Sequence, residues 1–191
     1  MIDKKIKKYL IIYMKEYKIF MQLSDLKKYI DDVKDFPTPG VYFKDISPLL
    51  ANGEALNFVV NKMIEYSKDA DVIVGPDARG FLFGTPVAAI LKKPFVMVRK
   101  EKKLPGKVIR KEYSYEYSKN VLEMQQNRIF PGQKVVIIDD VLATGGTTKA
   151  IIDLVRSQGA IVTKVIFLLE LVELKGLNKY NGIEVISLIK M

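Results

Sequence analysis

Val135-Val-Ile-Ile-Asp-Asp-Val-Leu-Ala-Thr-Gly-Gly-Thr-Thr148 decides how the rest of this 191-residue chain reads. Four apolar, mostly β-branched residues at its start predict a buried parallel strand. Asp139 and Asp140 follow at the strand's C-terminal end, and a Gly-Gly-Thr-Thr turn leads into a helix with apolar positions at Ile151, Ile152 and Val155. Such a layout suits an anion. A helix N-terminus has N–H groups without intrahelical partners and about half a positive charge, so a phosphate is favoured there. The glycines let the backbone approach closely, and the hydroxyls of Thr144, Thr147 and Thr148 add donors. Two carboxylates beside a phosphate repel it unless they hold sugar hydroxyls or a cation that bridges ligand and protein. A ribose phosphate with Mg2+ meets both demands. The segment is neither a G-x-x-x-x-G-K-[ST] loop nor a G-x-G-x-x-G dinucleotide turn.

Working outward, 49% hydrophobic residues over this length suit one α/β domain with its own core. Cysteine and histidine are both absent. That excludes disulfides, thiolate metal sites, a histidine base and the usual zinc sites, leaving carboxylates, lysines, arginines, tyrosines or a bound metal for chemistry. A formal charge of +9 favours anionic partners, and phosphorylated small molecules qualify as well as nucleic acid does. No apolar run approaches the roughly 20 residues that span a bilayer. Lys4-Lys5-Ile-Lys7-Lys8-Tyr-Leu-Ile-Ile-Tyr-Met14 mimics a short signal peptide, but Lys15 and Glu16 stand where small cleavage-site residues belong. Residues 1–21 read as a basic extension, a solvated helix or arm by composition, with a membrane-surface or partner helix and translation from Met14 or Met21 as alternatives.

Leu23, Leu26, Ile30 and Val33 recur at helical spacing behind a Ser24 cap, which predicts a first helix ending near Lys34, before Pro37 and Pro39. Leu56, Val59, Val60, Met63 and Ile64 outline a second helix, followed by a strand at 72–74 and a loop at 75–80. A helix over 81–91 and a strand over 95–98 then complete a crossover unit with a parallel sheet. Strands at 134–138 and 161–169 flank the helix after the phosphate loop. Ligands of such sheets bind beyond the strands' C-terminal ends, where Asp77 and Asp139 both fall.

Beside the opening stretch stand Phe36-Pro-Thr-Pro-Gly-Val-Tyr-Phe-Lys-Asp-Ile-Ser-Pro-Leu49, Asp77-Ala-Arg-Gly-Phe-Leu-Phe-Gly84, Arg99-Lys-Glu-Lys-Lys-Leu-Pro-Gly106 and Tyr113-Ser-Tyr-Glu-Tyr117. On these residues the chain, from about Leu23 onward, resembles the adenine-specific branch of the type I phosphoribosyltransferases. The resemblance implies an open, mainly parallel sheet flanked by helices, with a small hood from the N-terminal region and a flexible β lid. A single phosphoribosyltransferase domain would then span 22–191. It implies transfer of a ribosyl 5-phosphate from 5-phosphoribosyl-1-diphosphate to N9 of adenine, giving AMP and pyrophosphate in purine salvage. A cytoplasmic homodimer that uses Mg2+ and binds no nucleic acid is the matching expectation.

Residue by residue, the resemblance assigns the 5-phosphate to Ala143, Thr144, Gly145, Gly146 and Thr147. Asp139 and Asp140 take the ribose hydroxyls and help to place Mg2+, mainly through substrate or water. Asp77, Ala78 and Arg79 meet the diphosphate with Arg99, Lys100 and Lys103; of these, Arg99 offers a bidentate fork that a lysine cannot copy. The 77–78 peptide is expected to be cis, aiming a backbone N–H at the diphosphate. Adenine is assigned to Tyr42, Phe43 and Lys44, with Phe43 stacking on one ring face and Val141 touching the other. In an extended segment Tyr113, Tyr115 and Tyr117 share one face and Glu116 points to the opposite one. Glu116 matches the family's loop glutamate, which exchanges a proton with adenine N7, and 100–119 reads as the lid loop over the site. Family members commonly carry Ser at Ala78, a small apolar residue at Tyr42 and Arg at Lys44, so base preference rests on the whole match. Two other readings keep the pocket: transfer to another base, or a non-catalytic sensor of the diphosphate whose basic surface binds nucleic acid. The F-P-T-P-G-V and Y-S-Y-E-Y segments oppose the first, and the second lacks room for a DNA-binding module.

Overall fold

The computed structural model describes residues 21–115, 118–180 and 182–191. The chain divides after Ala55 into two compact units. The smaller one opens with a 3-10 turn, Leu23–Tyr29, rather than the predicted longer helix, and Gln22, not Ser24, precedes its first residue. The Gln22 N–H donates to Asp25 Oδ2 at 2.8 Å, satisfying a donor at the turn's start. Ile30 is already extended, and β1 (Asp31–Lys34) pairs antiparallel with β2 (Tyr42–Asp45), Val33 opposite Phe43. Cross-strand pairing therefore overrides the helical period that Ile30 and Val33 had suggested. The connecting turn is held by Phe36 N–H to Val41 O at 3.2 Å, Val41 N–H to Thr38 O at 3.2 Å and Gly40 N–H to Asp35 Oδ1 at 2.7 Å. Helix α1 (Ser47–Ala51) follows, with Pro48 in its first turn, where a missing N–H costs nothing, and α2 (Gly53–Ser67) begins just before the division and has most of its length in the larger unit.

In the larger unit come β3 (Val72–Pro76), α3 (Arg79–Leu91), β4 (Phe95–Lys100), β5 (Val108–Tyr115), β6 (Ser118–Gln125), β7 (Lys134–Leu142), α4 (Gly146–Ser157), β8 (Ile161–Glu170) and β9 (Glu184–Lys190). Among the described residues they build a seven-stranded sheet in the order β5-β6-β4-β3-β7-β8-β9. The β4-β3-β7-β8-β9 run is parallel, and β5 and β6 add an antiparallel edge. The mainly parallel α/β architecture is the expected one. Within the 100–119 lid segment, β5 and β6 pair in register from Val108↔Gln125 to Tyr115↔Ser118, so its described residues carry the β structure expected of the lid. β3 runs on to Pro76 and α3 starts at Arg79, so the predicted 75–80 loop shrinks to Asp77 and Ala78.

Alternation along β3 and β7 disappears because both faces are covered. Val72, Val74, Val135 and Ile137 join Ile151, Leu154 and Val155 of α4 in one apolar cluster. The intervening Ile73, Val136 and Ile138 are as fully buried, and α3 packs against the same two strands. Each such side chain contributes roughly 1.5–3 kcal/mol when fully buried, so these central strands are the stable platform on which the loops at their ends are carried. Among the described residues, no helix is long and apolar enough to cross a membrane.

Candidate active site

β3 and β7 lie side by side in parallel register, Val72↔Val135 to Val74↔Ile137, so the segments leaving their C-terminal ends emerge together. Between them is a cavity of about 360 Å³ lined by Pro76, Asp77, Ala78 and Arg79 from one strand end, and by Asp139, Asp140, Val141 and 143–148 from the other. Of the residues assigned to the diphosphate, Asp77, Ala78 and Arg79 thus line one cavity with those assigned to ribose and 5-phosphate, while Arg99, Lys100 and Lys103 are not in its lining. β7 extends to Leu142, so both acids sit in the strand itself rather than after it. That fixes their backbones by ladder pairing with β8, Asp139 opposite Phe167. The Asp77–Ala78 peptide is cis, as expected.

The two acids are not equivalent. Asp140 is 4% exposed, and its Oδ2 lies 2.7 Å from Arg79 Nε. Burial pushes its carboxyl up, and the Arg79 charge pulls against that shift. Asp139 is half-buried and its Oδ1 accepts the Asp140 N–H at 2.8 Å. Desolvation first, and then the Asp140 charge, raise the Asp139 carboxyl well above the ordinary range. Two carboxylates on successive residues at the rim of a buried strand strain each other electrostatically until a cation or polyol meets them. Among the described residues no group of three or more acidic side chains forms a metal cage. Asp139 and Asp140 alone suit a hard divalent ion that takes most of its oxygens from a ligand and water.

Arg79 opens α3 beside the cavity, and Arg99 is the penultimate residue of β4. Arg99 Nε donates to Asp77 Oδ2 at 2.9 Å, and its Nη1 donates to the Lys103 carbonyl at 3.0 Å, joining the basic loop to the β3 end. Lys100 and Lys103 are exposed and lie outside the cavity lining. Tyr42, Phe43 and Lys44 occupy β2 of the smaller unit. Tyr42 is 62% exposed, Phe43 meets the edge of Phe36 with ring centroids 5.2 Å apart, and Lys44 is ion-paired with Asp32. Glu116 lies outside the described residues, as do residues 1–20 and Tyr117.

Sequence reasoning missed what stands behind the phosphate loop. Gly145 caps α4 with φ +78°, and a β-carbon there would sit 2.6 Å from the Tyr180 hydroxyl oxygen and 2.8 Å from the Gly176 carbonyl. At Gly176 it would lie 2.3 Å from the Ala143 carbonyl oxygen and 2.7 Å from Leu142 Cδ1. No local pattern marks Gly176 or Tyr180, because their partners are more than thirty positions upstream. On the open side, the Tyr113 hydroxyl of β5 is 3.4 Å from Thr147 Oγ1. Gly176→Ala is expected to displace the Ala143 backbone and weaken sugar-phosphate binding at least about tenfold, read as Kd by titration. An unchanged Kd in a folded variant would show that this contact does not set the loop.

Residues 45–186 match the phosphoribosyl transferase domain model. The chain is 65% identical over 167 residues to adenine phosphoribosyltransferase of Mycoplasmopsis pulmonis, covering 87% of this chain and 98% of that one. Among solved structures, adenine phosphoribosyltransferase of Thermoanaerobacter pseudethanolicus superposes with a TM-score of 0.85 at 44% identity, over 89% of this chain and all of that chain. The Saccharomyces cerevisiae enzyme, complexed with an imino-altritol bisphosphate and adenine, gives 0.83 at 35% identity over 87% of this chain and 98% of its own.

Proposed function

The chain belongs to the phosphoribosyl transferase family and, within it, to the adenine phosphoribosyltransferases, and from that premise we propose how its cavity handles each part of the donor. It is a purine-salvage transferase that forms AMP and pyrophosphate from adenine and 5-phosphoribosyl-1-diphosphate. The observation that carries the assignment of roles is the convergence of 77–79 with 139–141 and 143–148 on one cavity. The α4 N-terminus and the hydroxyls of Thr144 and Thr147 receive the 5-phosphate. Asp139 and Asp140 accept hydrogen bonds from the ribose 2- and 3-hydroxyls, which fixes the ring for attack at C1.

Charge builds on the departing pyrophosphate as the C1–O bond lengthens, and Arg79 in the cavity lining and Arg99, paired with the lining residue Asp77, supply positive charge to it. Arg99 then trades Asp77 for diphosphate oxygens. Lys100 and Lys103 add positive charge from the neighbouring loop. Asp139 and Asp140 would help to hold Mg2+, mainly through substrate or water, and the ion would supply further neutralisation of the leaving group. Val141, in the lining of the cavity, touches the base, and Glu116 exchanges the purine proton. Family membership also supports a cytoplasmic homodimer.

The test is pyrophosphate and AMP formation with adenine, hypoxanthine, guanine and xanthine in parallel, each with the donor and with or without Mg2+. Turnover of adenine alone, and only with Mg2+, is the expected result. Turnover of a second base would move specificity to Tyr42 and Lys44. Donor binding without turnover of any base would favour a sensor over an enzyme.

A further inference from the structure

Tyr180 follows the short 3-10 turn Gly176–Lys179 and is 3% exposed. Its ring stacks on Phe167 of β8, with centroids 6.4 Å apart and planes inclined by 21°. Its hydroxyl donates a 3.0 Å hydrogen bond to the Gly145 carbonyl. The Gly145 carbonyl also accepts the Lys149 N–H at 3.0 Å, the first bond of α4, so both of its lone pairs are used. Phenylalanine would fill the same apolar space without burying a hydroxyl, so the phenol oxygen is explained by what it bonds. Burial, with a smaller contribution from the Asp139 charge, pushes the phenol up to about 12, and Tyr180 therefore stays a donor at any ordinary working pH.

The carbonyl of one residue and the N–H of the next point to opposite sides of a trans peptide plane. With the Gly145 oxygen held on the Tyr180 side, the Gly146 N–H is turned the other way, and Gly146 lines the cavity. Gly145 sits at φ +78°, in the region where a glycine backbone is otherwise freest to rotate. We propose that Tyr180 is a positioning residue for the donor: its hydroxyl, acting through the Gly145 carbonyl, holds the Gly146 N–H at the angle that receives the 5-phosphate. This rests on the reading of the cavity as the donor site. It adds a residue of the C-terminal turn, remote in sequence from the phosphate loop, to the machinery that sets donor affinity.

Tyr180→Phe removes one oxygen and keeps the ring. Wild type and variant are compared by KM for the ribosyl diphosphate, by kcat and KM for adenine, and by calorimetric Kd for ribose 5-phosphate alone. The variant's donor KM and ribose 5-phosphate Kd are expected to rise together by about three- to tenfold, the value of one neutral hydrogen bond, with kcat and adenine KM within about twofold. Equal ribose 5-phosphate affinity in the two proteins overturns the inference and leaves the site reading intact. So does a matching loss in kcat and adenine KM, which marks general loosening. If the wild type itself does not bind ribose 5-phosphate, the site reading falls and the inference falls with it.

Discussion

Asp139→Asn is expected to raise the melting temperature of the ligand-free enzyme while lowering kcat/KM for the donor about 10²-fold. The two effects have one cause. Asp139 carries a carboxyl whose pKa is raised well above its ordinary value, by desolvation and by the charge of Asp140. A group with a raised folded pKa binds its proton more tightly in the folded state. It therefore supports folding at low pH, and that support is lost as pH rises from the ordinary carboxylate value of 3.8 through the raised one. Above that window the ionised carboxylate costs stability, and an amide removes the charge while its oxygen still accepts the Asp140 N–H. Each kcal/mol recovered shifts melting by roughly 2–4 °C in a chain of this size. The gain should be present at pH 8, without donor or divalent cation, should shrink as pH falls through the raised value toward 3.8, and should be gone below that. Activity moves the other way, because charge-assisted hydrogen bonds to ribose hydroxyls are worth roughly 1.5–3 kcal/mol each and an amide offers only neutral ones. Melting curves across pH, set beside donor kcat/KM, check both signs. A variant that melts lower at pH 8 and is as active as wild type would remove Asp139 from the ribose site.

How far this site could be read in advance depended on the distance over which each residue finds its partners. The β7–loop–α4 segment is local: an apolar run, two acids, glycines and hydroxyls all act within 135–148, and the cavity is lined by what that run predicted. The crossover through 72–98 was legible for the same reason, since buried parallel strands carry unbroken apolar runs. Ile30 and Val33 misled because a helical period of three or four also fits a turn followed by a strand, and the choice was made by pairing with β2, ten residues on. β9 escaped notice because its 184–190 stretch is only partly buried and its alternation is weak. Tyr180 and Gly176 escaped for a different reason: nothing near them in sequence says that a loop at 143–146 packs against them. Arg99 is assigned to the diphosphate from its motif, but its pairing with Asp77 follows only from the adjacency of β3 and β4.

Glu116→Gln is the second large effect, a fall in kcat of about 10²- to 10⁴-fold, the range a positioned acid or base contributes. Glu116 stands in the chain between β5 and β6, whose described residues pair up to Tyr115↔Ser118. β5 also reaches the phosphate loop, through the Tyr113 hydroxyl near Thr147 and through Lys111 Nζ, 3.2 Å from Asp153 of α4. Few side chains could replace Glu116 in moving a purine proton, since the chain has no histidine and no cysteine. On the proposed reading Asp139 and Asp140 hold the ribose, and a second use of either would cost donor binding. The donor should bind Glu116→Gln as it binds wild type, because the proposed phosphate and ribose contacts come from β7 and α4. The loss then falls on kcat at saturating adenine and donor rather than on donor KM. Glu116→Asp, which keeps the carboxylate on a shorter arm, should recover part of the rate. Wild-type kcat in the Gln variant would mean that the proton leaves the purine without this carboxylate. Equal losses in the Gln and Asp variants, together with weakened donor binding, would assign the residue to the shape of the β5–β6 lid.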